Sequence, residues 1–437
     1  MAADQGDVVN VGGGGADHIS GLPDHLLHSI LLLVPGATAA DAARTSVLSR
    51  RWRHVWASLP ELAFGHRFTR ASRDAAPAHA LIDAALAAYS APTVRRLDIT
   101  APYDSPRLTA ARVASWLRFA ARRLAGDLRL TLQHDWAPDG DPHEDYVLPL
   151  WGTVTAITLE LVGRGLGFQL GGASAFTALA TLKIQKASVD SRELEHVLSA
   201  RCPVLKELVL NWITLSDGAP VFSIRSGSLR RLEMTAAGFT DLGLLRVATP
   251  ELRVLDQHGI FCDAYIAAPK LSELYWHNLY DPSRQRFAEA GRHLRRMEVA
   301  AGGTPTMALM NRFDIVDELH LTLEVPPGAH HYEKFLEETN KLAKCEVLVG
   351  DSPCNSRGCP CSRLENRMTN RIALPSLEQL EVTGNGEEDH IVELVRMLCK
   401  RHETFNKKVS ISVPGCTLLR RKIRSIVPPN DKYEITM

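Results

Sequence analysis

The sequence predicts an α/β protein in which a small three-helix unit is followed by a curved solenoid with a parallel sheet on its concave face. Three observations lead there. A short apolar helix near the N-terminus is followed by a pair of tryptophans at helical spacing, an L-x-x-L-x-[LIVM] pattern recurs through most of the chain, and the copies are spaced too evenly for chance.

The 437 residues exceed the size at which one core stops growing, but a repeat array escapes that limit. Fifty basic side chains face fifty acidic ones, so no electrostatic bias points to nucleic acid. The first 16 residues, with acids, no basic stretch and a Gly12–Gly15 run, read as a disordered tail and not as a secretory leader. The longest apolar run, Ile30 to Val34, is far short of the roughly 20 residues of a membrane span. Eight dispersed cysteines without a leader or an N-x-Ser/Thr acceptor predict free thiols in a reducing compartment, hence nucleus or cytoplasm, and no membrane association.

Within residues 17–62, Pro23 and Asp24 suit the first turn of a helix that Pro35-Gly36 ends. Its apolar residues Leu26, Leu27, Ile30, Leu31, Leu33 and Val34 cover more than one face, so one face needs a partner. A second helical stretch is predicted from about Thr38 to Thr45, and a third, capped by Ser49, carries Trp52, Val55 and Trp56. A unit of about 45 residues buries too little to stand alone and should dock on another chain or on the repeats.

DHISGLPDHLLHSIL followed by ARTSVLSRRWRHVW resembles the F-box of plant F-box proteins. The resemblance implies binding to a Skp linker protein and through it to a cullin, in a Skp–cullin–F-box ubiquitin ligase, with this chain as a non-enzymatic substrate adaptor that needs no cofactor. Carried over by position, Leu22, Pro23, Leu26, Leu27, Ile30 and Leu31 would enter the linker, while Val47, Leu48, Trp52 and Trp56 would complete that surface or support it.

Residues 63–364 hold the repeats. LATLKI, LKELVL, LRRLEM, LSELYW, LRRMEV, VDELHL and LEQLEV centre on Leu182, Leu208, Leu232, Leu274, Met297, Leu319 and, further on, Leu380, with a degenerate LRVLDQ at Leu255. From Leu182 to Leu319 the intervals run 26, 24, 23, 19, 23 and 22 residues, in or beside the range of about 20–29 for leucine-rich repeats. Weaker copies at VRRLDIT, GDLRLTL, TAITLEL and CEVLVG bring the expected total to about twelve coils. VDSRELEHVLSARCPV, between Leu182 and Leu208, has the spacing of a helix, and with LKELVL it resembles plant leucine-rich repeats. The other returns are expected to be helical too.

The residue after each central position should face outward on the concave sheet: Lys183, Val209, Glu233, Asp256, Tyr275, Glu298, His320 and Glu381. The sharper reading of this column is a protein substrate whose basic segment lies along the acids with Tyr275 as anchor. The opposing reading is a solvated face on which Arg231 and Arg296 neutralise Glu233 and Glu298.

Cys345, Cys354, Cys359 and Cys361 are enough thiolates for zinc, but the C-x4-C-x-C spacing lacks paired knuckles, so a thiol-bearing loop without metal is expected. Residues 365–437 resemble the FBD region of plant F-box proteins and read as strand, acidic turn, amphipathic helix and closing strand that cap the array. No P-loop, zincin, nucleophile-elbow or dinucleotide motif is present, and GRGLGF at Gly163–Phe168 lacks the strand-to-helix setting, so no catalytic residue is assigned. A leucine-rich-repeat scaffold or ligand receptor with a non-degradative role is the alternative to the adaptor, and a small molecule completing the substrate surface is a third reading.

Overall fold

The computed structural model describes residues 19, 21–33, 45–47, 51–65, 78–101, 108–132, 145–235, 243–259, 263–277, 280–301, 308–309, 312–323, 344–351, 379–383, 409–412, 421–422, 424–425 and 433–436. Beyond Asp317 the strands are placed by their backbone. Among the described residues no helix is long and apolar enough to cross a membrane.

The chain begins with α1, Asp24–Leu33, entered through a turn in which the Leu26 and Leu27 amides donate to the Pro23 carbonyl. Thr45–Val47 form a single 3-10 turn, and α2, Trp52–Val55, runs into a second such turn at Trp56–Ser58. The rest of the expected second helix and its neighbours Leu48 and Ser49 lie outside the described residues. Leu27, Trp52 and Val55 form the unit's own small core, with Leu22 and Leu31 against it. His28 Nε2 joins α1 to α2 through the Val55 carbonyl at 3.0 Å and Ser58 Oγ at 3.2 Å, and Arg51 donates to Asp24 Oδ1 and to the Leu22 carbonyl.

The strands that follow are β1 Glu61–Phe64, β2 Val94–Ala101, β3 Leu124–Leu132, β4 Tyr146–Leu148, β5 Ala156–Phe168, β6 Thr181–Val189, β7 Glu207–Asn211 and β8 Thr214–Leu215. They continue as β9 Val221–Arg225, β10 Arg231–Thr235, β11 Leu244–Ala248, β12 Val254–His258, β13 Asp263–Ala267, β14 Glu273–Trp276, β15 Gln285–Ala288 and β16 His293–Ala301. The last are β17 Ile315–Leu323, β18 Lys344–Asp351, β19 Gln379–Thr383, β20 Val409–Ser412 and β21 Tyr433–Thr436. Two parallel sheets hold them: a 17-stranded sheet, and a 4-stranded one of β9, β11, β13 and β15.

In the large sheet one residue per coil stands in register with its neighbours: Leu62, Leu97, Leu128, Ile157, Leu182, Leu208, Leu232, Leu255, Leu274, Met297, Leu319, Leu348, Leu380, Val409 and Tyr433. Every central position of the sequence pattern is in this row. The row is longer than the dozen coils expected, because β20 and β21 add rungs whose sequences do not show the leucine spacing, and β1 adds LPELAF, which shows it but stands 35 residues before Leu97. The sheet also begins at Glu61, inside the range assigned to the helical unit, and the expected terminal cap contributes β19 to β21 as further rungs. The amphipathic helix expected there, and Cys354, Cys359 and Cys361, lie outside the described residues; Cys345 is in β18, opposite Val316.

The returns differ from the expectation. Helices α3, Ala78–Ala88, and α4, Ala110–Arg123, serve the first coils, and α5, Ser191–His196, extended by a π turn at Val197–Arg201, serves the coil between β6 and β7. In α4, Val113, Trp116, Leu117 and Ala120 make the buried stripe, and Trp116 Nε1 donates to Asp83 Oδ1 of α3 at 2.7 Å. Asp190 caps α5 by accepting from the Arg192 and Glu193 amides. From Val221 to Ala288 the returns are strands, since VFSIR, LLRVA, DAYIA and QRFA alternate at period two and place Phe222, Ile224, Leu245, Val247, Ala264, Ile266 and Phe287 inward. The helical period seen in one return did not carry to its successors. GRGLGF belongs to β5, with no helix to open.

One continuous core runs from Leu59 to Val316. Gln257 breaks its apolar rule: it occupies an inward position in register with Met234 and Trp276, is 1% exposed, and neither of its amide atoms has a hydrogen-bond partner among the described residues. At the junction with β2, Gly126 is required, because a Cβ there would lie 2.0 Å from the Arg95 carbonyl oxygen.

Candidate functional site

Two surfaces answer to the sequence's expectations. The first is the edge of the helical unit. Because α1 spends Leu27 on the small core and Leu31 on the junction, its other apolar residues are left outside: Leu26 and Ile30 are each 41% exposed and Leu33 is 78% exposed. Pro23 is exposed, Leu22 is half-buried, and Val47, at 88%, is the most exposed large apolar residue of the unit. Leu27 and Trp52, expected to face a partner or support that surface, lie in the unit's interior. Trp56 is half-buried against the core of the repeats and Leu48 lies outside the described residues.

The unit is fastened to the first coil. Leu31 packs against both cores. The Ser90 amide and hydroxyl donate to the Ala57 carbonyl at 2.8 and 3.1 Å, and Tyr89 Oη donates to the Leu59 and Thr93 carbonyls at 2.8 and 3.0 Å. Burial pushes the Tyr89 hydroxyl up to about 12, against the pull of Arg123.

The second surface is the open face of the large sheet. Register places Lys183, Val209, Glu233, Asp256, Tyr275, Glu298, His320, Val349 and Glu381 in one column. His320 and Glu381 are placed by backbone alone. The acids of this column are already engaged. Glu233 accepts from Asn211 Nδ2 at 3.0 Å and lies 3.6 Å from Arg231, whose guanidinium is also 3.5 Å from Asp256 Oδ2. Arg296 stands 3.7 Å from Glu298 and 5.6 Å above the Tyr275 ring, while Tyr275 Oη donates to Glu273 at 3.2 Å. Arg231, reaching from β10 to β12, and Arg296, within β16, thus stand against Glu233, Asp256 and Glu298. Tyr275 is a fixed, half-buried aromatic.

The sequence reading passed over the next outward column. Leu255 and Leu274 are each followed three residues later by a histidine, and His258 and His277 stand side by side with rings 3.8 Å apart at 13°. Asp256 Oδ1 is 3.0 Å from His258 Nε2 and 4.0 Å from His277 Nε2. Burial raises the Asp256 carboxyl above the usual carboxylate range, and burial followed by repulsion from His258 lowers His277. Also passed over was Trp212, 55% exposed at the end of β7 and held at φ +59°, a left-handed conformation costly for a bulky side chain.

The described residues thus combine a short helical unit that has an apolar edge with a parallel-strand solenoid joined to it without a spacer. Residues 19–63 match the F-box domain model, and residues 113–281 match the leucine-rich-repeat model described as "FBD-associated F-box protein At5g56370, LRR repeats". The chain is 29% identical over 246 residues to F-box protein At5g03100 of Arabidopsis thaliana, covering 56% of this chain and 70% of that protein. It is 28% identical to F-box/LRR-repeat protein 25 of the same plant, over 45% of this chain and 68% of the relative, and 25% identical to Putative FBD-associated F-box protein At5g50270, over 59% and 62%. With Putative F-box/LRR-repeat protein At5g02700 the match spans 39% of the relative. Over these segments the chain is similar to plant F-box and leucine-rich-repeat proteins.

Proposed function

We propose that the chain is the substrate-recognition adaptor of a Skp–cullin–F-box ubiquitin ligase, working in the nucleus, the cytoplasm or both. The observation that carries this reading is the apolar edge of Leu26, Ile30, Leu33 and Val47 on a unit too small to need so much exposed hydrocarbon for itself. Each large aliphatic side chain fully buried against a partner contributes about 1.5–3 kcal/mol. The Skp linker takes that edge, the open sheet face takes the protein substrate, and ubiquitin transfer is accelerated by proximity alone, with no cofactor and no catalytic residue in this chain.

Titration of the full chain with a plant Skp-type linker tests this. The wild type should bind, and Leu26→Asp/Ile30→Asp, which alters exposed positions only, should weaken binding at least about tenfold, as expected when interface anchors are lost. No binding by the wild type, or equal binding by both, overturns the adaptor reading and leaves a repeat scaffold or ligand receptor without a degradative role.

A further inference from the structure

The open face carries one group of side chains that the adaptor role does not use. Asp256 and His258 stand two residues apart on β12 and so project from the same face. The His277 amide donates to the Gln257 carbonyl at 3.0 Å, which carries the ladder one residue past β14 and sets His277 beside His258. One carboxylate oxygen and two imidazole nitrogens thus lie within 4.8 Å of one another.

We propose that Asp256, His258 and His277 bind a borderline divalent transition-metal ion such as zinc on the open face of the sheet. The donor set selects the ion: two imidazoles and one carboxylate suit zinc and its transition-metal neighbours, whereas calcium and magnesium require an oxygen-rich shell that one carboxylate does not supply.

A second observation points the same way. Asp256 Oδ1 is buried, and although His258 Nε2 is 3.0 Å away, the alignment is not that of a hydrogen bond, so the oxygen accepts none among the described residues. Its sister oxygen faces Arg231, so the bare oxygen is the one turned to the two rings. An orphaned buried carboxylate oxygen is destabilising, and a bound cation removes that cost.

The stacked rings hold their in-plane lone pairs side by side. They converge on one ion only if the planes splay, and the His258 side chain, 44% exposed, has room to turn. Three protein ligands leave zinc an open position on the face where a substrate would lie. This site stands independently of the adaptor role.

The test uses the full chain freed of metal by a chelator, with zinc as the calorimetric probe and cobalt(II) as the spectroscopic one. The wild type should bind one equivalent with a cobalt spectrum of nitrogen and oxygen ligation, and His258→Asn/His277→Gln should lose about 100-fold in affinity, on the scale that loss of ligand-sphere groups produces. Affinity unchanged in the variant, or a spectrum dominated by thiolate ligation, overturns the site. A measurement on the wild type guards against a variant that fails to fold: zinc, but not magnesium, should protect His258 and His277 from acylation by diethyl pyrocarbonate, mapped by mass spectrometry. Equal modification with and without zinc overturns the site as well.

Discussion

The helical unit and the solenoid solve the same problem with opposite means. Among the described residues the unit has three internal side chains in its own core, Leu27, Trp52 and Val55, and leaves most of the apolar surface of α1 in solvent. A coil such as that of β10 and β11 is no larger, yet Leu232, Met234, Leu245 and Val247 are all buried, because a neighbour on each side supplies the missing walls. The difference teaches that a short segment of this chain becomes stable by being flanked. The coil is flanked on two sides and the unit on one, through Leu31, Trp56 and the Tyr89 and Ser90 hydrogen bonds. Its other side is the exposed edge.

Trp52→Ala gives the sharpest way to break this comparison. Removing a core tryptophan costs about 3–5 kcal/mol, more than a three-residue core can absorb. Native-state hydrogen exchange should show α1 amides opening while those of β10 and β12 stay protected. Equal loss of protection in both regions would mean that unit and solenoid unfold as one.

Gln257→Met tests the solenoid side. Replacing an inward amide without partners by an apolar side chain of similar length should raise stability by about 1–3 kcal/mol, read as a later urea midpoint. A lower midpoint would show that the amide is satisfied in solution.

The smallest effect is at the joint. The Tyr89 hydroxyl titrates at about 12 in the fold against an ordinary value of 10.0, so the folded chain holds that proton where the unfolded chain has released it. Its contribution is therefore complete below about pH 10 and lost as pH climbs toward 12. Tyr89→Phe should cost about 1 kcal/mol at neutral pH, by leaving the Leu59 and Thr93 carbonyls short of a donor, and should flatten the alkaline fall in stability. An alkaline profile identical to wild type would remove Tyr89 from the joint.

The fold was legible wherever a residue's role depends on spacing. The central row from Leu97 to Leu380 could be read from the leucines, because a solenoid forces one inward apolar residue per turn of chain. Val409 and Tyr433 escaped, since a rung at the end of the array is held by backbone pairing and tolerates other residues; Leu62 escaped because its LPELAF stands 35 residues before Leu97, beyond the repeat interval. The strand returns escaped for a different reason: five residues alternating at period two are too short a signal beside one clear helix. On the open face, register gave the column of Glu233, Asp256, Tyr275 and Glu298 correctly, but not that Arg231 reaches two acids on two strands, which is a fact of cross-strand distance. His258 and His277 were within reach of the same counting, one step further along each repeat.

Because the helical unit passes into β1 with no spacer, the open face carries a fixed scale. Seven strand-to-strand steps separate β1 from β12, about 34 Å along the sheet at about 4.8 Å a step. Cargo held at Tyr275 or Trp212 would therefore present its lysines at a set distance from whatever holds the edge of α1. Deleting or duplicating a single coil between β7 and β12 would move cargo held at Tyr275 by one division of the scale and turn it about the array, while cargo held at Trp212 would keep its distance.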